Sequence, residues 1–258
     1  MMSLADYERH LIGQLCWVCH AATRPSHRRQ QRCPACRRKW SYERRRVRWE
    51  LIKAFALTAT AHHAARSVRC SYPTAYRAFT DCRHALARLT GEEKRKLLGE
   101  LELDESDFGG KRKGKRGRGA AGKVAVFGIL ERAGRVYTVA VPDCKKETLM
   151  GKIEAATVKG SVFYTDEFTS YNDVARYGKH VPVNHQETFG VGAAHINGIE
   201  GFWSFAKRLY RQVHGVDRDH FPLYLAEYEF RYNHRNDHLP TILFEALIHP
   251  QLRKDGLA

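Results

Sequence analysis

The apolar and polar positions of the chain change their period twice. From residue 99 onward, short apolar runs of strand length alternate with longer amphipathic ones. Leu101-Glu102-Leu103-Asp104-Glu105 alternates with period two, as a half-buried strand does, and Ser161-Val162-Phe163-Tyr164-Thr165-Asp166 also reads as a strand. Strands are predicted at 100–104, 123–130, 135–141, 161–165 and 180–183. Helices are predicted at 145–157, 168–177, 195–213 and 218–235. Three strands in a meander, followed by alternating helices and strands, make a mixed sheet with helices on both faces, so the fold class is α/β.

Residues 43–98 lack strand alternation. Val47, Leu51, Ile52, Phe55 and Ala56 form a helical stripe, and a second helix is predicted over Thr60–Val68. Ser71-Tyr72-Pro73-Thr74 then restarts the chain into a third helix through Ala75, Tyr76, Phe79, Cys82, Leu86 and Leu89, with Pro73 acceptable in a first turn. Three short helices with a turn before the last outline a helix-turn-helix, a DNA-binding arrangement, with Arg69, Arg77 and Arg83 as candidate contacts. A structural bundle would show the same periodicity.

The first 42 residues carry a different signal: Cys16-x-x-Cys19 and, after thirteen intervening residues, Cys33-x-x-Cys36. Each CxxC turn presents two thiolates, and two such turns complete a tetrahedral four-sulfur site for structural zinc. His20 and His27 are alternative donors, ranked below because four cysteines already satisfy the ion. The chain holds seven cysteines, and an odd number without a secretory leader argues against a disulfide framework. The expected domains are therefore a zinc ribbon (1–42), a helix-turn-helix-like domain (43–98) and an α/β domain (99–250).

Charge sharpens this reading. The formal net charge is +16, concentrated in residues 1–50 (12 Lys/Arg against 4 Asp/Glu) and in 111–123 (7 basic residues, no acidic ones). Two dense cationic patches on a near-neutral background are the electrostatic footprint of a polyanion binder. The glycine-rich stretch after Asp104 contains Lys111, Arg112, Lys113, Lys115, Arg116 and Arg118, and reads as a phosphate-gripping loop that orders on DNA. No apolar run reaches the ~18–20 residues that span a bilayer. MMSLADYERH lacks a signal-peptide core, so a cytoplasmic protein is expected.

Three acids stand in settings suited to a metal: Asp104 and Asp166 at predicted strand ends, and Glu200 on a predicted helix. On that helix Ile196, Ile199, Trp203, Ala206, Tyr210 and Val213 make an apolar stripe, and Asn197, Glu200, Ser204, Lys207 and Arg211 a polar one. Clustered carboxylates repel one another unless a cation offsets them. A pair of Mg²⁺ ions bound by such acids can drive in-line displacement at a phosphodiester. Glu102 shares the strand face of Asp104, and Glu105, Asp107, Glu167 and Asp173 are also nearby; composition alone does not choose among these acids. Taken singly, each reads as a solvated surface charge, and the helix as an ordinary amphipathic one.

The stretches LELDESDFGGK, FYTDEFTSY, HINGIEGFWSFAKR and YLAEYEFRYNHR resemble those of DDE insertion-sequence transposases with an N-terminal zinc ribbon. The resemblance, with the predicted element order, implies a ribonuclease-H-like catalytic domain. It implies that Asp104, Asp166 and Glu200 bind two Mg²⁺ ions, with Mn²⁺ as a substitute. Lys207 fits the family's basic position seven residues after the glutamate. His195 and Asn197 belong to its H-x-N-x-x-E signature as positioning or end-binding residues. The implied activity is binding of terminal inverted repeats in double-stranded DNA, cleavage at the element ends, and joining of the 3′-OH to target DNA by transesterification. The implied state is a homodimer or larger assembly on the bacterial nucleoid. The rival expectations are a zinc-ribbon DNA-binding regulator with a vestigial catalytic core, and a structure-selective nuclease.

Overall fold

The computed structural model describes residues 15–16, 19, 21–26, 30–109, 123–132, 134–166, 169–183 and 195–248. Lys111, Arg112, Lys113, Lys115, Arg116 and Arg118 lie outside the described residues, as do Trp17, His20, His27, Arg28 and Arg29. The chain divides into two compact units, one running to Leu86 and resuming at Asn236, the other Ala87–Arg235.

The first unit begins with a three-stranded antiparallel sheet, β1 (Arg24–Ser26), β2 (Gln30–Arg32) and β3 (Lys39–Ser41). Ser41 caps α1 (Tyr42–Ala56) by accepting from the Arg44 N–H, and Thr60 caps α2 (Ala61–Val68) by accepting from that of His63. α2 ends at Arg69, which takes the left-handed conformation (φ 56°) that closes many helices. α3 (Tyr72–Glu92) follows, with Ser71 Oγ accepting from the Thr74 N–H. Leu51, Ile52, Phe55, Ala64, Phe79 and Cys82 are buried, and Phe55 meets Phe79 edge to face at 5.2 Å.

Two features of this unit depart from the sequence expectation. Arg83 is buried, with its guanidinium 5.4 Å from the centre of the Phe55 ring, so it serves packing rather than DNA contact. Arg69 and Arg77 are exposed. A further helix, α7 (Leu239–Ile248), packs on α1 through an edge-to-face contact of Trp49 with Phe244 at 5.8 Å. It lies within the 99–250 stretch assigned to the α/β domain, yet it belongs to the first unit. Its run, LPTILFEALI, is apolar on nearly every side and carries no helical stripe to read.

The second unit is a five-stranded mixed sheet in the order β6-β5-β4-β7-β8. Its strands are β4 (Glu100–Phe108), β5 (Val124–Glu131), β6 (Val136–Val141), β7 (Val162–Thr165) and β8 (Lys179–Pro182). β4, β5 and β6 pair antiparallel, while β7 pairs parallel with both β4 and β8. This is the ribonuclease-H-like topology. The remaining elements are α4 (Lys146–Ala156), a 3₁₀ helix (Thr169–Arg176), α5 (Asn197–Gln212) and α6 (Phe221–Asn233). No helix among the described residues is long and apolar enough to cross a membrane.

The pleat of the central strands assigns the two faces. Leu101, Leu103, Phe127 and Ile129 join Leu149 and Ile153 of α4 and Tyr171 and Val174 of the 3₁₀ helix in one core. Val126, Leu130 and Tyr164 join Ile199, Phe202 and Trp203 of α5 and Leu225 and Tyr228 of α6 in the other. The expected helix at 168–177 is 3₁₀. Its buried Tyr171 and Val174 are three residues apart, which is one 3₁₀ turn, and its Ser, Asn and Asp compete for backbone hydrogen bonds. β4 continues four residues beyond the predicted end at 104 because Phe108 is buried in the second core. Asp104 is thus mid-strand rather than at a strand end.

An edge strand presents unpaired backbone groups, and side chains of α6 engage those of the first half of β6, at Val136 and Thr138. The Val136 N–H donates to Asn233 Oδ1 at 2.8 Å and Asn233 Nδ2 donates to the Val136 carbonyl at 3.0 Å. The Thr138 N–H and hydroxyl both donate to Glu229 Oε2 at 2.7 Å. Burial pushes the Glu229 carboxyl up to about 7, against the pull of those donors and of the Lys94 and Arg135 charges. The folded state therefore holds this proton more tightly than the unfolded chain, whose carboxyl titrates near 4.5. The associated stability is fully present below pH 4.5 and is lost as pH rises through about 7. The unfolding temperature of the native protein should fall across this window relative to Glu229→Gln, with a constant offset above it; parallel calorimetric curves for the two proteins would contradict this.

Candidate active site and candidate metal centre

In the first unit the two CxxC turns are built alike. The Cys16 N–H donates to the Ala21 carbonyl and that of Cys33 to the Arg38 carbonyl, each at 2.9 Å. The four Sγ atoms of Cys16, Cys19, Cys33 and Cys36 all lie within 4.8 Å of one another. The separations are 3.5 Å for Cys16–Cys36 and 3.3 Å for Cys19–Cys33. The Cys36 N–H, donating to Cys33 Sγ at 3.4 Å, is the leading cause that lowers the Cys33 thiol to about 6, over the opposition of burial. Four convergent sulfurs with a favoured thiolate fit the zinc site expected from the spacing. Arg45 of α1 stacks 3.7 Å over the Trp40 ring and interacts electrostatically with Cys16. Burial lowers its guanidinium to about 9, and the Cys16 charge counters that. A buried cation beside the cluster offsets the negative charge that four thiolates bring.

In the second unit Asp104 points from mid-β4 toward α5. The Glu105 N–H donates to its Oδ1 at 2.8 Å, and the Trp203 indole N–H donates to Oδ2 at 3.0 Å. Burial, together with the negative charges of Asp166 and Glu200, raises the Asp104 carboxyl to about 6, against those two donors. The fold thus brings Asp166 and Glu200, two of the acids singled out in the sequence, within electrostatic reach of the third, Asp104. Asp166 directly follows β7 and is half-buried; Glu200 is exposed in the first turn of α5. Next to Asp166, the Thr165 hydroxyl donates to the Asp166 carbonyl at 2.6 Å and pairs with His180 Nε2 at 2.8 Å. Glu105 faces the opposite side of β4, where it accepts from the Tyr171 hydroxyl at 2.7 Å. Burial, then the charges of Glu105, Asp104 and Asp166, raise the Tyr171 hydroxyl well above its usual range, so it remains a donor.

The stripes of α5 are as the period predicts. Ile199, Trp203 and Ala206 are buried, whereas Asn197, Glu200, Ser204 and Arg211 are exposed and Lys207 is half-exposed. His195 precedes the helix and is also half-exposed, its Nδ1 3.5 Å from Glu102 Oε1. Sequence reasoning missed the hydrogen-bonding role of Trp203, which the apolar stripe identified only as core. The signal was Gly128, which pairs with Asp104 across β4 and β5. A Cβ there would lie 2.6 Å from Trp203 Cζ2 and 3.0 Å from Ile199 Cδ1, so a residue without one admits the indole to the carboxylate.

The donor set fits Mg²⁺, a hard ion that favours carboxylate oxygens. A cation would relieve the repulsion from Asp166 and Glu200 that adds to burial in raising Asp104. Of the three acids, Asp104 is the one buried beside the other two charges; among the described residues, the ligand group that converges closely is that of the four cysteines.

The ISXO2-like transposase domain model matches residues 96–233, which include all three acids. The chain belongs to the ISXO2-like transposase family. A transposase-like protein of Haemophilus influenzae is 41% identical over 101 residues, covering 38% of this chain and 81% of that relative. Among solved structures, the HTLV-2 integrase catalytic core domain in complex with magnesium is 16% identical, with a TM-score of 0.30; the match covers 59% of this chain and 86% of that one. A Mos1 strand transfer complex is 13% identical, with a TM-score of 0.34, covering 78% of each chain.

Replacing Gly128 with Ala should displace Trp203 and destabilise the unit by about 1–3 kcal/mol, the usual cost of overpacking; an unchanged unfolding midpoint would show that the indole has room to move. Cys33→Ser should lower the zinc content of the purified protein, and full retention by elemental analysis would remove the cysteine cluster as a zinc site.

Proposed function

We propose that this family member is a DDE transposase that cleaves the ends of an insertion sequence and joins them to target DNA. The observation that carries the reading is the elevated Asp104 carboxyl. It is buried and lies beside the charges of two other acids, all three within the family-matched span.

In this reading Asp104, Asp166 and Glu200 hold two Mg²⁺ ions, with Mn²⁺ as a substitute. When bound, these would supply activation of the attacking oxygen and stabilisation of the leaving one. The chain's own groups do the orienting. The Glu105 and Trp203 N–H groups fix both oxygens of Asp104. Lys207, two turns beyond Glu200 on the same helical stripe, reaches a phosphate flanking the scissile bond, and His195 and Asn197 approach the DNA end. Water is the nucleophile at the element end, and the freed 3′-OH is the nucleophile at the target. Each step forms one P–O bond as another breaks, and no serine or tyrosine intermediate is required.

The cysteine ribbon and the α1–α3 helices are assigned to terminal-repeat binding, with Arg69 and Arg77 as phosphate or base contacts. Lys111, Arg112, Lys113, Lys115, Arg116 and Arg118 are assigned to gripping the backbone, on charge alone. Coordinated cutting of two ends calls for a homodimer or larger assembly on DNA, working in the bacterial cytoplasm at the nucleoid.

Asp104→Asn, Asp166→Asn and Glu200→Gln should each abolish cleavage and joining of DNA carrying the element ends, while leaving affinity for those ends unchanged or raised. Loss of binding in step with loss of cleavage would assign these residues to folding. End binding without cleavage by the native protein would favour a regulator with a vestigial core.

A further inference from the structure

Arg132 lies in the turn between β5 and β6, outside every motif of the sequence, yet it touches β4, β7 and the residue that leads into α5. Its Nε donates to Glu102 Oε1 on β4 at 3.1 Å, two residues before Asp104. Its Nη2 donates to the His195 carbonyl at the entrance to α5 at 2.6 Å, and its Nη1 to Glu100 Oε2 at 2.9 Å. Its guanidinium stacks 3.6 Å over the ring of Tyr164 on β7, two residues before Asp166.

Glu102 completes the connection. It is only 1% exposed, and its Oε2 accepts from the Ile199 N–H at 2.9 Å. The N-cap residue of α5, Ile196, makes no side-chain cap bond. A carboxylate from β4 therefore takes the place that a Ser or Asp normally fills at a helix start, satisfying a first-turn N–H and complementing the positive end of the helix dipole. The next residue is Glu200. Gly198 makes the approach feasible, since a Cβ there would lie 2.8 Å from Glu102 Oε2 and 2.5 Å from Leu130 Cδ2. With one oxygen facing Arg132 and the other the helix N–H, Glu102 is oriented by protein donors rather than toward a metal.

We propose that Arg132 and Glu102 are a positioning pair that sets the mutual placement of Asp104, Asp166 and Glu200. Like any account of that site, it rests on the three acids being the metal-holding set. A planar guanidinium suits the task, because its fork of N–H donors and its stacking face are fixed relative to one another, which the ammonium of lysine cannot reproduce. Buried ion pairs are weak evidence for stability as such. Partners that orient metal ligands, by contrast, alter metal affinity by about 10–100-fold when changed. Mg²⁺ also demands near-ideal octahedral geometry, so misplaced ligands should weaken it more than Mn²⁺.

The test titrates Mn²⁺ and Mg²⁺ into the zinc-loaded full chain, reading free Mn²⁺ by electron paramagnetic resonance and Mg²⁺ by competition. The variants are Arg132→Lys, Glu102→Gln and Asp104→Asn. Arg231→Lys perturbs a different buried pair, Arg231–Glu227 at 2.8 Å, and serves as the control for destabilisation alone. Arg132→Lys and Glu102→Gln should bind Mn²⁺ about tenfold more weakly or worse, with a larger loss for Mg²⁺, while Arg231→Lys binds both ions as the native protein does. If Asp104→Asn loses metal but Arg132→Lys and Glu102→Gln keep native affinity, the positioning pair is refuted and the acidic set stands. A comparable loss in Arg231→Lys at a similar unfolding temperature would also refute the pair, since the effect would then follow stability. Native metal affinity in Asp104→Asn would overturn the acidic set, and the positioning role with it.

Discussion

The hydrogen-bonded carboxylates of β4 impose the constraint around which the second unit is arranged. A central strand buried on both faces is ordinarily apolar throughout. β4 instead presents Glu102 and Asp104 to the face covered by α5. Removing charged groups from water is costly unless donors replace the lost hydration, and the unit supplies those donors from distant parts of the chain. Trp203 reaches Asp104, while Arg132 and the first turn of α5 reach Glu102. Two glycines, Gly128 and Gly198, provide the space for these approaches. Asp104 is nevertheless left with an elevated carboxyl, since its donors do not cancel burial and the neighbouring charges.

Much of this was legible in the sequence because it is local. The alternation of Leu101 and Leu103 with Glu102 and Asp104 is a two-residue signal and gave the strand and its faces. The two stripes of α5 repeat within one helix, and the CxxC turns need only a few residues each. The obscured features were those decided by tertiary packing. The extension of β4 to Phe108 depends on a core built from α5 and α6. Arg83 looked like an exposed basic residue until the ring of Phe55 gave it a buried resting place. α7 has too uniform a composition to show a period. Arg132 meets partners 30 and 63 residues away, and nothing in its own neighbourhood announces them.

The cysteine module faces the opposite difficulty. Each of its three strands has only three residues, too few to bury a core. In small modules of this kind metal affinity supplies folding free energy directly. The matched turns around Cys16 and Cys33 align N–H groups and thiols so that the ligands converge, and Arg45, stacked on Trp40, adds a cation within electrostatic reach of Cys16. With an ion on its four sulfurs, that module would draw its order from metal–ligand bonds, whereas the α/β unit draws its order from the packing of a sheet between helices.

The closure of β6 by Glu229 and Asn233 bears on how copies of the chain can associate. Backbone groups already engaged by a helix of the same molecule cannot accept another strand. At the other margin of the sheet, β8 has four residues, begins with Lys179 and ends with Pro182, and such short, charged, proline-bearing strands resist pairing. Joining two sheets into one continuous ribbon is therefore disfavoured at both margins. Contacts through helical faces, loops or a shared ligand meet no such obstacle, and an orientation reached that way is set by what is held in common rather than by the lattice of the sheet.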